Sequence, residues 1–193
     1  MAFGAATGHR HRGGGVARLA VLAAVLLLAA CAGGAKAAPE IHELANIDDW
    51  NLVPKSSPAR FVAGFERFCL DTPPLPATVA AALRGADYVP VPERRADGVT
   101  TFVVDDSRPM VMLLANGRGC AVAAESRSGQ TERLRAMVGR RFPEATSIDP
   151  ALVGRNTETA WLAPGPNGGI VFVQRLGTPS TPSRLILGIW RAS

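Results

Sequence analysis

The tetrapeptide Asn116-Gly117-Arg118-Gly119 separates two apolar runs, residues 110–115 (MVMLLA) and 120–126 (CAVAAES). Asn-Gly readily takes the positive φ that tight hairpin turns require. The two runs must therefore fold back on each other as antiparallel strands. A third run, residues 100–104 (TTFVV), precedes them, and Asp105-Asp106-Ser107-Arg108-Pro109 reads as the turn between. Farther along, 157–163 (TETAWLA), 169–176 (GIVFVQRL) and 184–190 (RLILGIW) read as three more strands. The turns between these are PGPNGG and GTPSTPS, and no internal repeat of fixed period appears.

Elsewhere the apolar period is helical. Ser57 and Pro58 suit the N-cap and first position of a helix. Phe61, Val62, Phe65, Phe68 and Cys69 then fall on one face, and Pro73-Pro74 stops the helix. A short helix follows through ATVAAALR and ends at Gly85. A third spans about Thr131 to Phe142 on Leu134, Met137, Val138 and Phe142, and Pro143 closes it. The expected fold is α+β in the order ααβββαβββ. It is an antiparallel sheet of about five or six strands with helices packed on one face.

The chain has 193 residues, 47 % of them hydrophobic, enough for one domain with a sizeable core. The domain is expected over 57–193, after an arm at 41–56. In the arm, Ile41, Leu44, Ile47 and Trp50 recur at spacing three. That pattern reads as a short packed helix or as a partner-docking segment. Residues 32–40 (AGGAKAAPE) read as a flexible tether.

The first 30 residues have the anatomy of a secretory signal. Arg10, Arg12 and Arg18 form a charged start without any acid, and Leu19–Ala30 is a 12-residue apolar run. A spanning helix needs about 20 such residues. Leu28-Ala29-Ala30-Cys31 resembles the lipobox of bacterial lipoproteins. The resemblance implies cleavage before Cys31, a diacylglyceryl group on its thiol and an acylated amino terminus. Small side chains at 29 and 30 let an extended backbone enter a protease cleft, and a thiolate is the natural nucleophile for a thioether. Several acyl chains, at about 0.8 kcal/mol per buried CH₂, hold a protein stably where one is marginal. In Gram-negative lipoproteins an Asp after the acylated Cys retains the protein at the inner membrane. Here Ala32 and Gly33 follow, which implies the outer membrane, with the domain facing the periplasm. Two rivals stay open. Ala35-Lys36-Ala37 is an A-x-A site, and cleavage after Ala37 would release a soluble periplasmic or secreted protein; an uncleaved anchor is the other. All three readings place the domain outside the cytoplasm.

Besides Cys31, only Cys69 and Cys120 remain. Two thiols in an oxidising compartment are expected to pair, closing a loop of about 50 residues for roughly 4 kcal/mol in the chain-entropy model. The stretch from about 60 to 143, with one Cys on a helix and the other in the hairpin context Cys120-Ala121-Val122, resembles small exported bacterial proteins of unknown function. That resemblance carries no activity.

No catalytic or metal-binding constellation stands out. His42 is the single histidine after the signal, so a Ser-His-Asp or Cys-His mechanism would have to use it from beside the tether. A zinc site lacks a ligand cluster. Asp105-Asp106 and Asp48-Asp49 read as solvent-facing turn acids, and no phosphate loop is present. Arg141 falls within the apolar face of the third helix. It reads as a side chain snorkelling from the last turn, the alternative being a buried charge awaiting an anion. Arg94-Arg95 and Arg140-Arg141 read as solvated pairs.

The net charge of +5 falls to 18 basic against 16 acidic residues once the first 30 are removed. No basic run interleaves with aromatics, so no nucleic-acid partner is expected. Nineteen of the 21 basic residues are arginine, read as compositional bias before phosphate recognition. The expected partners are the membrane, through the anchor on Cys31, and another envelope protein. No catalytic residue, cofactor or metal is expected, and the disulfide is Cys69–Cys120. The expected function is a membrane-anchored envelope lipoprotein with a non-enzymatic interaction or assembly domain. The alternative is a periplasmic small-ligand-binding domain with a pocket between helices and sheet.

Overall fold

Pro58 opens α2 (Pro58–Phe65) at its first position, where the missing N–H costs nothing, and the Ser57 hydroxyl accepts from the Arg60 N–H at 3.3 Å. The computed structural model describes residues 39–47, 52–92, 98–166, 168–177 and 183–192. Ala38–Ser193 forms one compact unit. Cys31 and the rest of the leader lie outside the described residues, as do Asp48-Asp49, Trp50 and Arg94-Arg95. The chain runs α1 (Pro39–Asn46), α2, α3 (Pro76–Arg84), β1 (Val89–Pro90), β2 (Val99–Val103), β3 (Met110–Leu114) and β4 (Gly119–Glu125). It continues with α4 (Gln130–Arg141), β5 (Thr146–Ile148), a 3₁₀ turn at Pro150–Leu152, β6 (Thr157–Ala163), β7 (Gly169–Leu176) and β8 (Arg184–Trp190). Helix α1 thus begins inside the stretch expected to be a tether.

All eight strands form one antiparallel sheet in the order β1-β2-β3-β4-β8-β7-β6-β5. The α+β class and antiparallel sheet are as expected, but the strand count is eight, not five or six. The two extra strands are the edges, β1 with two residues and β5 with three. Edge strands this short blunt the sheet against further pairing, and Pro90 removes one edge donor. The sheet also has a local two-fold arrangement. β1–β4 is one meander and β5–β8 another, and their last strands pair antiparallel from Gly119↔Trp190 to Glu125↔Arg184. Val122 and Leu187 face each other at the centre of this seam, both fully buried.

One sheet face carries the core. Phe61 and Phe65 of α2, Val79 and Leu83 of α3, and Leu134, Met137 and Val138 of α4 pack on Phe102, Val111, Val122, Val171, Val173, Leu185, Leu187 and Ile189. Full burial of each large apolar side chain stabilises by about 1.5–3 kcal/mol. After Phe65 the helix widens to π winding over Glu66–Leu70, where the Asp71 N–H reaches the Glu66 carbonyl at 2.8 Å. The wider turn lets the consecutive residues Phe68, Cys69 and Leu70 all be buried. Arg140 and Arg141 are exposed, as expected of a solvated pair, and also reach from α4 to this segment. Arg140 binds Glu66 at 2.7 Å and Arg141 binds Asp71. Gln130 is buried at the start of α4: its Oε1 accepts from the Arg127 N–H (2.7 Å) and its Nε2 donates to the Glu125 carbonyl (3.1 Å).

Candidate functional site

Antiparallel sheets covered on one side normally turn polar residues to the other. This one does not. Register places Thr101, Met112, Ala121, Gly188, Phe172, Ala160 and Ile148 in one row across the face turned away from the helices, where Met112 and Ala121 are half-buried against the segment before α2 and Ala160 is buried. The next row is Val99, Leu114, Gly119, Trp190, Ile170, Leu162 and Thr146. Neither row contains a charged side chain. Seven strands about 4.8 Å apart, with same-face rows roughly 7 Å apart, give a patch of about 400 Å². Trp190 and Leu162 are half exposed, at 47 % and 50 %. Phe172 lies flat over Gly188, where a Cβ would come within 2.4 Å of the ring. A third row is covered: Met110, Ala123 and Ile186 pack with Leu52 and Val53, which precede α2. The Pro54 carbonyl accepts from the Glu125 N–H at 2.8 Å and fixes that covering segment to β4.

The helical side carries a cleft of about 500 Å³ between α2, the loop before β1 and the β2–β3 turn. Arg60, Ala63, Gly64 and Arg67 of α2 form one wall. Asp105, Ser107, Arg108 and Pro109 form the other, over Phe68 and Tyr88. Gly64 is needed here, since a Cβ would come within 2.7 Å of Pro109. The Phe68 and Tyr88 rings meet edge to face at 5.3 Å. The Tyr88 hydroxyl donates to the Pro109 carbonyl at 3.0 Å, and burial pushes its pKa up to about 12 against the opposing pull of Arg108. Asp105, expected merely to face solvent, organises the turn. Its Oδ1 accepts from the Ser107 N–H, the Ser107 hydroxyl and the Arg108 N–H at 2.7–2.9 Å, and its Oδ2 from the Arg108 guanidinium at 2.7 Å. Desolvation raises its pKa, but the hydrogen bonds from Ser107 and Arg108 together outweigh it and bring the carboxyl down to about 2. Asp106 turns away to Lys55, 3.8 Å distant.

Cys69 and Cys120 are joined by a disulfide with a Cα–Cα distance of 5.4 Å, tying the π-wound segment to β4. Beside it, the Arg191 guanidinium donates to the Cys69 carbonyl at 2.6 Å and its Nε has no partner among the described residues; burial lowers its pKa. The structure therefore brings Cys69 and Cys120 together and places Cys31 outside the described residues; of the His42 side chain nothing is described. Sequence reasoning missed Arg60, Arg67, Arg108 and Tyr88. The available signal was a second stripe on α2, with Arg60, Ala63, Gly64 and Arg67 at helical spacing: two cations flanking two small residues. Among the described residues, no group of three or more His, Cys, Asp or Glu is placed to hold a metal, and no helix is long and apolar enough to cross a membrane. Compared with family models, curated proteins and solved structures, the chain finds a match in none of the three.

Proposed function

We propose that the chain is a lipid-tethered envelope protein. Cys31 carries the acyl anchor, and the domain holds an envelope protein against its uncovered sheet face. The observation that carries this reading is the pair of apolar, uncharged rows running across seven strands. A contiguous patch of about 400 Å² is of the size that marks interaction sites on monomers. It is about half of the roughly 800 Å² per partner found in stable free-standing complexes. A membrane anchor compensates for that shortfall, because confinement to one surface raises the effective concentration of the partner. The fitting partner presents an apolar helix or loop, to which Met112 can adapt its unbranched side chain.

The test is site-specific photocrosslinking in intact envelopes. A photoreactive residue at Leu162 gives a discrete adduct, whereas one at Arg135, exposed on α4, does not. Trp190→Glu, at a half-exposed position of the same face, removes the adduct without unfolding the domain. An adduct that survives Trp190→Glu, or that forms equally from Arg135, overturns the docking face. Separately, Cys31→Ala abolishes labelling by a fatty-acid analogue and releases the protein from membranes; unchanged labelling overturns the anchor.

A further inference from the structure

We propose that the cleft between α2 and the β2–β3 turn binds a phosphate-bearing ligand with an apolar body, gripped by Arg60, Arg67 and Arg108. The reading is independent of the sheet face, which lies on the other side of the sheet.

The charge in the cleft is unbalanced. Among the described residues, three guanidinium groups line it against one carboxylate, Asp105. Asp105 is already committed to the turn through four hydrogen bonds, and its arginine partner among the described residues is Arg108. Among the described residues, neither Arg60 nor Arg67 has an acid within ion-pair distance. Arg60 instead donates to the Ser107 hydroxyl at 2.6 Å, which holds it toward the cleft. The other two cations rest on aromatic faces: Arg67 lies 5.0 Å from the Phe68 ring centre and Arg108 lies 5.5 Å from that of Tyr88. Such contacts orient a guanidinium and leave the in-plane N–H donors of Arg67 for an anion. Arg108 gives its Nε to Asp105 and one terminal nitrogen to the Ala86 carbonyl at 2.9 Å, which leaves its other terminal nitrogen for a ligand.

The ligand class follows from this geometry. Seven residues of helix set Arg60 and Arg67 roughly 10 Å apart at the backbone, within reach of a common point for two long side chains. Arg60 and Arg67, with the remaining terminal nitrogen of Arg108, offer more donors than the two oxygens of one carboxylate accept, and they suit the terminal oxygens of a phosphate monoester. Between them the floor is apolar: Ala63, Gly64, Phe68 and Pro109. The Tyr88 hydroxyl is occupied by Pro109, so that ring offers its apolar body and not a donor. A volume of about 500 Å³ falls in the range of small-molecule sites.

The experiment uses the mature protein purified from envelopes, with phenyl phosphate as the probe in calorimetry at low salt. The expected result is saturable one-to-one binding with Kd near 0.1 mM on an order-of-magnitude scale, weakened about tenfold by Arg60→Gln and by Arg67→Gln. Both variants keep the thermal midpoint of the parent, and Arg135→Gln binds as the parent does. Absence of saturation by about 10 mM, or equal weakening by Arg135→Gln, overturns the proposal. Two competitors then separate the sources of phosphate. Displacement by inorganic phosphate assigns a free phosphate compound. Displacement only by glycerol 3-phosphate, the monoester headgroup of a phosphatidic acid, assigns a lipid headgroup, and displacement by neither overturns the site.

Discussion

Breaking the Cys69–Cys120 bridge is expected to remove about 4 kcal/mol of stability. The two cysteines lie 51 residues apart, and the chain-entropy relation gives a figure of that size for a loop of this length. A domain of this size has a total stability of roughly 5–15 kcal/mol, so the loss is a large fraction of it. Both side chains are buried, at 1 % and 7 % exposure, so truncation to Ala adds only a small cavity cost. The informative design is a double-mutant cycle followed by urea denaturation at neutral pH. Cys69→Ala, Cys120→Ala and the double variant each lose the same cross-link. All three are therefore expected to fall by about 4 kcal/mol, with the double within about 1 kcal/mol of either single. Their thermal midpoints should drop by roughly 10 °C, given about 2–4 °C per kcal/mol at this chain length. Single losses that simply add in the double variant would refute the reasoning. So would a loss below about 1 kcal/mol in every variant, because the loop would then restrict nothing in the unfolded chain.

Two further perturbations report on buried polar groups. Tyr88 is the one tyrosine of the chain, so absorbance at alkaline pH reads it alone. Its midpoint is expected at about 12 and not 10, and the stability it confers is complete below pH 10 and lost as pH rises toward 12. A midpoint near 10 in the folded protein would contradict its burial. Gln130→Met keeps the volume but strips partners from the Arg127 N–H and the Glu125 carbonyl, for an expected loss of about 2–4 kcal/mol in urea denaturation. A loss under about 0.5 kcal/mol would show that water replaces both bonds.

The six longer strands and the three helices of the covered face were legible because each carries its own period or turn signal. Asn116-Gly117 fixes one hairpin, and Pro58, Pro73-Pro74 and Gly85 punctuate the helices. The two edge strands were not legible. Val89–Pro90 and Thr146–Ile148 are too short for a period, and their pairing is imposed by β2 and β6. The π winding was equally hidden, since Phe61, Val62, Phe65, Phe68 and Cys69 fit an ordinary helix as well. The candidate surfaces depended on register and on packing between distant segments. Alternation along β3, β4, β7 and β8 marks two faces, but both faces are apolar here, and only the helix packing decides which is covered. The cleft joins residues 60–67 to 105–109, and no local pattern announces that meeting. Arg141 shows the same limit: its own helix predicted the solvated tip that is found, but not the partner, Asp71, which is 70 residues away.

The position of β8 bears on how a chain like this becomes folded. Residues 184–190 are the eighth strand to be synthesised, yet they sit in the interior of the sheet between β4 and β7. Until they arrive, each meander keeps a bare inner edge, and the two halves have nothing to zip together. Burial of Leu185, Leu187 and Ile189 then completes the structure in one late step. Such long-range closure is slow compared with the growth of a nascent segment. A polypeptide organised this way stays loose until its eighth strand is available and sets only then.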